Sequence, residues 1–218
     1  MMILKAFREL LYRRKKEWKL LLFSEKWKKA NKHNKTVPGN IFDMEKVSVG
    51  NHTYGTLNIH SYGNAEEKLS IGSFCSIAGD VHFLLSGEHT YKTLSTYPIK
   101  HFFVDGSCES LTKGPIVIED DVWIGYGCVI LSGVTIGKGS VIGAMSIVSG
   151  DIPPYSIFAG GNIMRYRFSE NVIKKIITIP FSAITPAFIK ENASLLEEEV
   201  TDNNVDQIVG LIEQWKEN

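Results

Sequence analysis

The sequence predicts an all-β solenoid of short strands and tight turns with helices at both ends, and three observations carry that reading. Ile118, Ile124, Ile130, Ile136, Ile142 and Val148 recur six residues apart, a period that fits neither an amphipathic helix nor a plain strand. Four positions after successive aliphatics stand Val122, Cys128, Val134, Ser140 and Ser146, all small or β-branched. Directly after the aliphatics come Glu119, Gly125, Leu131, Gly137, Gly143 and Ser149, so Gly fills three of six turn positions. Each unit can point one aliphatic inward, fill the space beside it with a small residue and relieve the turn with Gly. A shorter run with the same period precedes it, Ile71-Gly72, Ile77-Ala78 and Phe83, and Val49-Gly50 is a candidate for an earlier coil.

The elements follow in order. Residues 1–36 read as a basic helical arm, with Ile3, Phe7, Leu10, Leu11, Trp18, Leu21 and Leu22 near helical spacing and cations on the other faces. Pro38-Gly39 is a break. The solenoid is expected over 37–166, interrupted by an excursion over 84–115 where the six-residue register disappears. An excursion of that length in a compact domain is usually functional. Residues 167–218 read as C-terminal helices. Ser169 is the expected cap, with Val172, Ile173, Ile176 and Ile177 as the apolar face. A second stretch over about 186–217 breaks near Asp202-Asn203-Asn204, and these helices are expected to close the end of the solenoid.

Composition narrows the class. The 218 residues are 44% hydrophobic and 22% charged, which suits one globular domain with appendages and excludes disorder. Apolar runs such as Leu20–Phe23 fall far short of the roughly 18 residues a membrane span needs. That run is flanked by charge and followed by no small-residue cleavage site, so it does not read as a signal peptide. A cytoplasmic setting is expected, with the inner face of the membrane as one option within it. Cys75, Cys108 and Cys128 form neither a disulfide framework nor a zinc pattern. The 24 cationic and 24 acidic side chains cancel, and no nucleic-acid partner is expected. The charges are nevertheless segregated: residues 1–35 hold 12 Lys/Arg and 3 Glu, a balance of +9, leaving −9 for the rest. The arm has three readings: a cap on the first coil, a site for an acidic partner, or peripheral contact with an anionic membrane through Trp18 and Trp27.

Several segments carry a family resemblance: Leu69-Ser-Ile-Gly-Ser-Phe-Cys-Ser-Ile77, Glu88-His89, Ser95-Thr-Tyr-Pro98, Val117-Ile-Glu-Asp-Asp-Val-Trp-Ile-Gly125, Pro153-Pro-Tyr-Ser-Ile157, Gly160-Gly-Asn162 and Arg167-Phe-Ser169. In this order they resemble the hexapeptide-repeat acyltransferases. The likeness is to the xenobiotic acetyltransferase branch, with its streptogramin A and type B chloramphenicol enzymes, and to related polysaccharide O-acetyltransferases. The resemblance implies a left-handed parallel β-helix, a homotrimer, and acetyl-CoA as co-substrate. The handedness rests on the resemblance alone, since general crossover rules favour the right-handed form.

His89, in Ser86-Gly-Glu-His89-Thr-Tyr, matches the family's catalytic histidine. A hydroxyl is a poor nucleophile near neutral pH, and an imidazole can take its proton as it attacks the thioester carbonyl directly. His82 reads as structural. Glu88 adjoins His89, but sequence neighbours rarely face one another. Gly125 is a candidate for presenting main-chain N–H to an oxyanion. Trp123 has two readings, a wall of the pantetheine channel or a side chain packed at a coil corner. The resemblance implies CoA contacts at Gly143, Ala144, Pro154, Tyr155, Gly160, Gly161 and Asn162, with Arg165 or Arg167 as phosphate partner. It departs from the family at Ile163, where Pro is usual, and in the short Met164-Arg165-Tyr166 segment. Tyr54, Ser95, Thr96 and Tyr97 are candidates for the acceptor. The six histidines lack metal-ligand spacing, which argues against a β-helix carbonic anhydrase and against any metal. The preferred function is O-acetylation of a saccharide in surface polysaccharide synthesis. The alternatives are acetylation of an antibiotic and a non-catalytic β-helix scaffold.

Overall fold

The computed structural model describes residues 2–107 and 110–216; Cys108 lies outside them. Helix α1 (Met2–Ala30) leads to β1 (Lys35–Pro38), β2 (Val47–Val49) and β3 (Tyr54–His60). Then come β4 (Leu69–Ile71), β5 (Ser76–Ile77) and β6 (His82–Leu84), followed by a loop that holds the short helix α2 (Ile99–Phe103). The coil resumes with β7 (Ile116–Ile118), β8 (Trp123–Ile124), β9 (Val129–Leu131), β10 (Thr135–Ile136), β11 (Val141–Ile142) and β12 (Ile147–Val148). Strands β13 (Ser156–Ala159) and β14 (Asn162–Tyr166) precede α3 (Glu170–Ile176), α4 (Pro186–Leu196) and α5 (Val205–Lys216).

Pairing turns the six-residue period into a three-faced coil. Val117 pairs with Thr135, Trp123 with Val141 and Val129 with Ile147, each in parallel and each eighteen residues on. Three units therefore make one turn. The first face is β2-β4-β7-β10. The second runs from β1 through the start of β3 to β5, β8, β11, β13 and β14, and the third from the end of β3 to β6, β9 and β12. Strand β3 turns the corner between the second and third faces, pairing with β5 at Tyr54 and with β6 from Asn58.

Inside, the aliphatics stack in ladders. Val49, Ile71, Ile118 and Ile136 form one, Ile77, Ile124, Ile142 and Phe158 another, and Ile59, Phe83, Ile130 and Val148 the third, all buried. Each such side chain stabilises the fold by about 1.5–3 kcal/mol. The small positions sit between them, and the Cys75 and Cys128 thiols are buried and free. Burial pushes Cys75 up to about 12, so it is a packing group rather than a nucleophile.

The ends are closed differently from expectation. Strand β14 folds back antiparallel on β13 through Gly160-Gly161, whose positive φ values of 57° and 87° suit a two-residue hairpin turn. That hairpin, not the C-terminal helices, covers the last strand of the second face. The helices instead pack along the corner between the first and second faces. Phe74 meets Phe181 at 6.0 Å, the Lys138 ammonium donates to Ile177 O and Ile179 O, and the Tyr155 hydroxyl donates to Ile176 O at 3.2 Å. His52, Phe74, Asp121 and Tyr155 all have positive φ at this corner, which throws large side chains outward to be covered. Ser169 caps α3 by accepting from Val172 N–H, and Val172 and Ile176 are buried under it.

The end of α1 caps the first coil. Trp27 is buried, donates to Thr36 Oγ1 at 3.0 Å and meets Phe42 edge-on at 5.2 Å. The expected role of Trp27 at a headgroup layer is thus corrected: its indole is consumed in the core. Phe7, Leu10, Leu11, Trp18, Leu21 and Leu22 remain exposed. Among the described residues no helix is long and apolar enough to cross a membrane.

Candidate active site

His89 stands just beyond the neck of the loop that joins β6 to β7. The neck is zipped by the antiparallel bridge between Glu88 and Leu111 and by Thr112 Oγ1 donating to Leu85 O at 2.7 Å. Beneath it lies Glu67, a carboxylate with no exposed side-chain surface, paired with Lys46 Nζ at 2.8 Å. Glu67 accepts from Ser61 Oγ at 2.6 Å, Tyr62 N at 2.7 Å, Gly63 N at 3.1 Å and the Ser86 hydroxyl. Burial pushes this carboxyl upward, yet the Lys46 ammonium and the hydroxyl and amide donors outweigh it and hold the pKa at about 2. Ser110 Oγ donates to Ser86 Oγ at 2.9 Å, and Asn64 Nδ2 donates to Ser110 O at 2.8 Å. Both sides of the neck are therefore tied to one buried anion.

The imidazole itself is held by main chain. His89 Nδ1 lies 2.8 Å from Thr96 O, and a carbonyl only accepts, so Nδ1 carries the proton and a neutral ring has its lone pair on Nε2. Glu88 does not form a dyad with it; its carboxylate pairs with Lys113 at 3.1 Å. His89, Ser95, Thr96 and Tyr97 together line a cleft of about 380 Å³ with Thr93, Lys100 and Ser107. Ser95 Oγ accepts from Tyr97 N at 3.1 Å, and Tyr97 stacks near Phe102 with centroids 5.2 Å apart. Thr96 acts through its carbonyl, a role the sequence offers no signal for because every residue has one.

The remaining candidates lie elsewhere. All residues lining the His89 cleft fall within 89–107. On the second face, one cross-strand row reads Tyr54, Ser76, Trp123, Val141, Ile157 and Arg165. Trp123 stands 55% exposed, which corrects the reading of it as packed at a corner. At about 4.8 Å per strand, Trp123 and Arg165 are roughly 14 Å apart along the row. The row thus offers an aromatic surface with a cation at its hairpin end. Ala144 is exposed at the corner between the second and third faces, and Gly143 lies beside it. Pro154 is half-buried, and Gly160, Gly161 and Asn162 form the exposed hairpin tip.

Three expectations are corrected. Gly125 N–H donates to Ile142 O at 2.8 Å, so it is taken by the next coil and not offered to an oxyanion. A Cβ at Gly125 would lie 2.6 Å from Ala144 N, so the Gly serves coil stacking. Tyr155 is buried in the cluster under the C-terminal helices, its hydroxyl bonded to Ile176 O and its pKa pushed up by burial; it has no surface for CoA. Arg167 donates to Gly139 O at 2.6 Å and pairs with Asp121 at 3.1 Å, with its guanidinium over Phe168 at 5.0 Å, so it is a clamp within the fold. Arg165 stays exposed. His82 lies on β6 with its Nδ1 2.8 Å from His60 Nε2. Among the described residues no group of three or more His, Cys, Asp or Glu is placed to hold a metal.

The six-residue coil is the repeat of the family described as "Bacterial transferase hexapeptide (six repeats)", whose model matches residues 115–150. A probable macrolide acetyltransferase of Lysinibacillus sphaericus is 36% identical over 64% of this chain and 83% of its own length. A chloramphenicol acetyltransferase of Escherichia coli is 34% identical over 60% of this chain and 72% of its own. A hexapeptide-repeat acetyltransferase of Vibrio cholerae, solved with acetyl-CoA, is 29% identical over 62% of this chain and 66% of its own, with a TM-score of 0.47. The chain belongs to the hexapeptide-repeat acetyltransferases. It is an enzyme of acetyl transfer.

Proposed function

We propose that the chain O-acetylates a saccharide hydroxyl in surface polysaccharide synthesis, with His89 as general base. The observation that carries the base is the Nδ1–Thr96 O bond, which leaves Nε2 of a neutral ring facing outward to accept the acceptor's proton. The hydroxyl then attacks the thioester carbonyl in a ternary complex: its oxygen bonds to the acetyl carbon, the carbon–sulfur bond breaks, and the thiolate of CoA takes up a proton. No acyl-enzyme is required. Ser95, Thr96 and Tyr97, with Thr93 and Lys100, give the cleft the hydroxyls and charge that suit a polar sugar.

The donor is read onto the second face, with Trp123 along the pantetheine arm, Ala144 and Gly143 beside it, and Arg165 at the phosphates. The domain division is proposed as 1–36, 37–166 and 167–218, and the coil as left-handed. The His89 loop leaves the corner between the third and first faces, whereas Trp123 and Arg165 point out from the opposite, second face. One chain does not bring them together. The reading therefore requires neighbouring chains, as in a homotrimer, with the loop of one chain meeting the second face of the next.

A second reading, acetylation of an antibiotic hydroxyl, is favoured by the names of the macrolide and chloramphenicol relatives. The test is free-thiol release from acetyl-CoA against two acceptor pools, sugars and sugar nucleotides on one side, chloramphenicol, streptogramin A and macrolides on the other. Sugar-dependent release that falls by about 10²–10⁴ in His89→Ala is expected. Antibiotic-dependent release overturns the acceptor and keeps the base. Full turnover in His89→Ala overturns the base.

A further inference from the structure

Helix α1 has two apolar stripes, and the fold uses only one. At about 100° per residue, Phe23 and Trp27 share the side that docks on Phe42 and the first coil. Phe7, Leu10, Leu11, Trp18, Leu21 and Leu22 fall within an arc of about 120° on roughly the opposite side. All six are at least half exposed, Trp18 by 66%. Six large apolar side chains on one arc of one helix, turned from the body that carries them, need a partner of their own.

Charge selects among the partners. Over residues 5–22 the helix holds seven Lys/Arg and two Glu. Only one of those cations, Arg13, is paired, with Glu9 at 3.3 Å among the described residues. Arg14 lies on the apolar arc itself. In a seam between two copies of this helix it would be a charge buried against like charge, whereas at a lipid surface its stem can lie along acyl chains while the guanidinium reaches a phosphate. One flank of the arc carries Arg8, Lys15 and Lys19, and the other begins with Glu17, so an in-plane interfacial helix would set the lipid phosphates along the first.

We infer that residues 5–22 form an amphipathic anchor that lays the enzyme on an anionic lipid surface, with Trp18 and the Leu side chains below the headgroups and the Lys/Arg side chains among the phosphates. This stands apart from the identity of the acceptor and from the role of His89. The acetyl-transfer coil is thereby held at a membrane through its first cap, because α1 runs unbroken from the anchor into the Trp27–Phe42 contact.

The test is co-sedimentation of the full chain with vesicles of phosphatidylcholine alone or mixed with phosphatidylglycerol. Binding to the mixed vesicles is expected, weakening at high salt and absent from the neutral ones. Replacing Arg8, Lys15 and Lys19 by Gln together is expected to lower partitioning about 100-fold, from about 1 kcal/mol per cation. The separate pair Trp18→Gln and Leu22→Gln is expected to abolish it, with the thermal midpoint unchanged because both residues face solvent. Equal binding to neutral vesicles, no binding, or insensitivity to both variants overturns the anchor. So does a fall in thermal midpoint, or concentration-dependent self-association that Trp18→Gln abolishes.

Discussion

At the scale of single residues, the chemistry depends on atoms that the residue names conceal. His89 is oriented by a main-chain carbonyl, and the loop that carries it is moored to a carboxylate in another segment. Glu67 illustrates the energetic consequence. Its folded pKa of about 2 lies below its ordinary 4.5, so between those values the unfolded chain binds the extra proton. The stabilisation is therefore complete above pH 4.5 and is lost as pH falls through the window toward 2, of order 3 kcal/mol in all. Thermal midpoints across pH 2–6 are expected to drop in that window for the wild type. In Glu67→Gln the midpoint is expected to be lower at neutral pH, because Lys46 loses its partner, and the step attributable to Glu67 to vanish. An unchanged acid profile in Glu67→Gln would remove Glu67 from the account. Turnover in this variant is expected to fall as well, since Ser86 and Ser110 at the loop's neck lose their anchor.

At the scale of elements, the tests concern what packs on the coil. Tyr155 was expected to touch CoA, but the structure buries it against α3, with Phe168 5.9 Å from its ring. Tyr155→Phe removes one hydrogen bond to Ile176 O and is expected to cost about 1 kcal/mol, or roughly 2–4 °C in thermal midpoint. The KM for acetyl-CoA is expected to stay at its wild-type value; a several-fold rise would return Tyr155 to the donor site. The six-residue coil was legible because its signal is local: Ile118 through Val148 sit in strict register, and each must point inward. Helix α1 and the Ser169 cap were legible for the same reason. Where the C-terminal helices dock was not, because the outward corner residues His52, Phe74, Asp121 and Tyr155 share a backbone conformation and no chemistry. Nor did the spacing of Gly125 distinguish a turn that approaches a ligand from one that stacks against the next coil. Of the candidate site, the His89 cleft could be reached from adjacent residues, whereas the Glu67 mooring joins positions 46, 61, 67, 86 and 110, which no short motif links.

At the scale of the whole molecule, the proposed function, read onto two separated surfaces, requires an assembly that activity can test. His89 leaves one corner of the coil, and Trp123 and Arg165 lie on the face opposite it. If each reaction centre joins the loop of one chain to the second face of another, a chain lacking the base still offers a working donor face, and the converse. His89→Ala and a Trp123→Ala, Arg165→Ala double variant are each expected to be nearly inactive as pure oligomers. Both alter exposed side chains, so both are expected to fold. Refolded or co-expressed together, they form mixed oligomers in which some interfaces pair an intact loop with an intact face. A random trimer with each interface independent in this way regains about one quarter of wild-type sites, because each contributing chain is the right variant half the time. Recovery near that fraction, and its absence when the pure oligomers are mixed without subunit exchange, is the expected outcome. If the loop folded over its own chain's second face, every site would carry at least one defect, and mixing would restore nothing. A site between chains is sealed only in the oligomer, so turnover per chain is also expected to fall on dilution below the assembly constant.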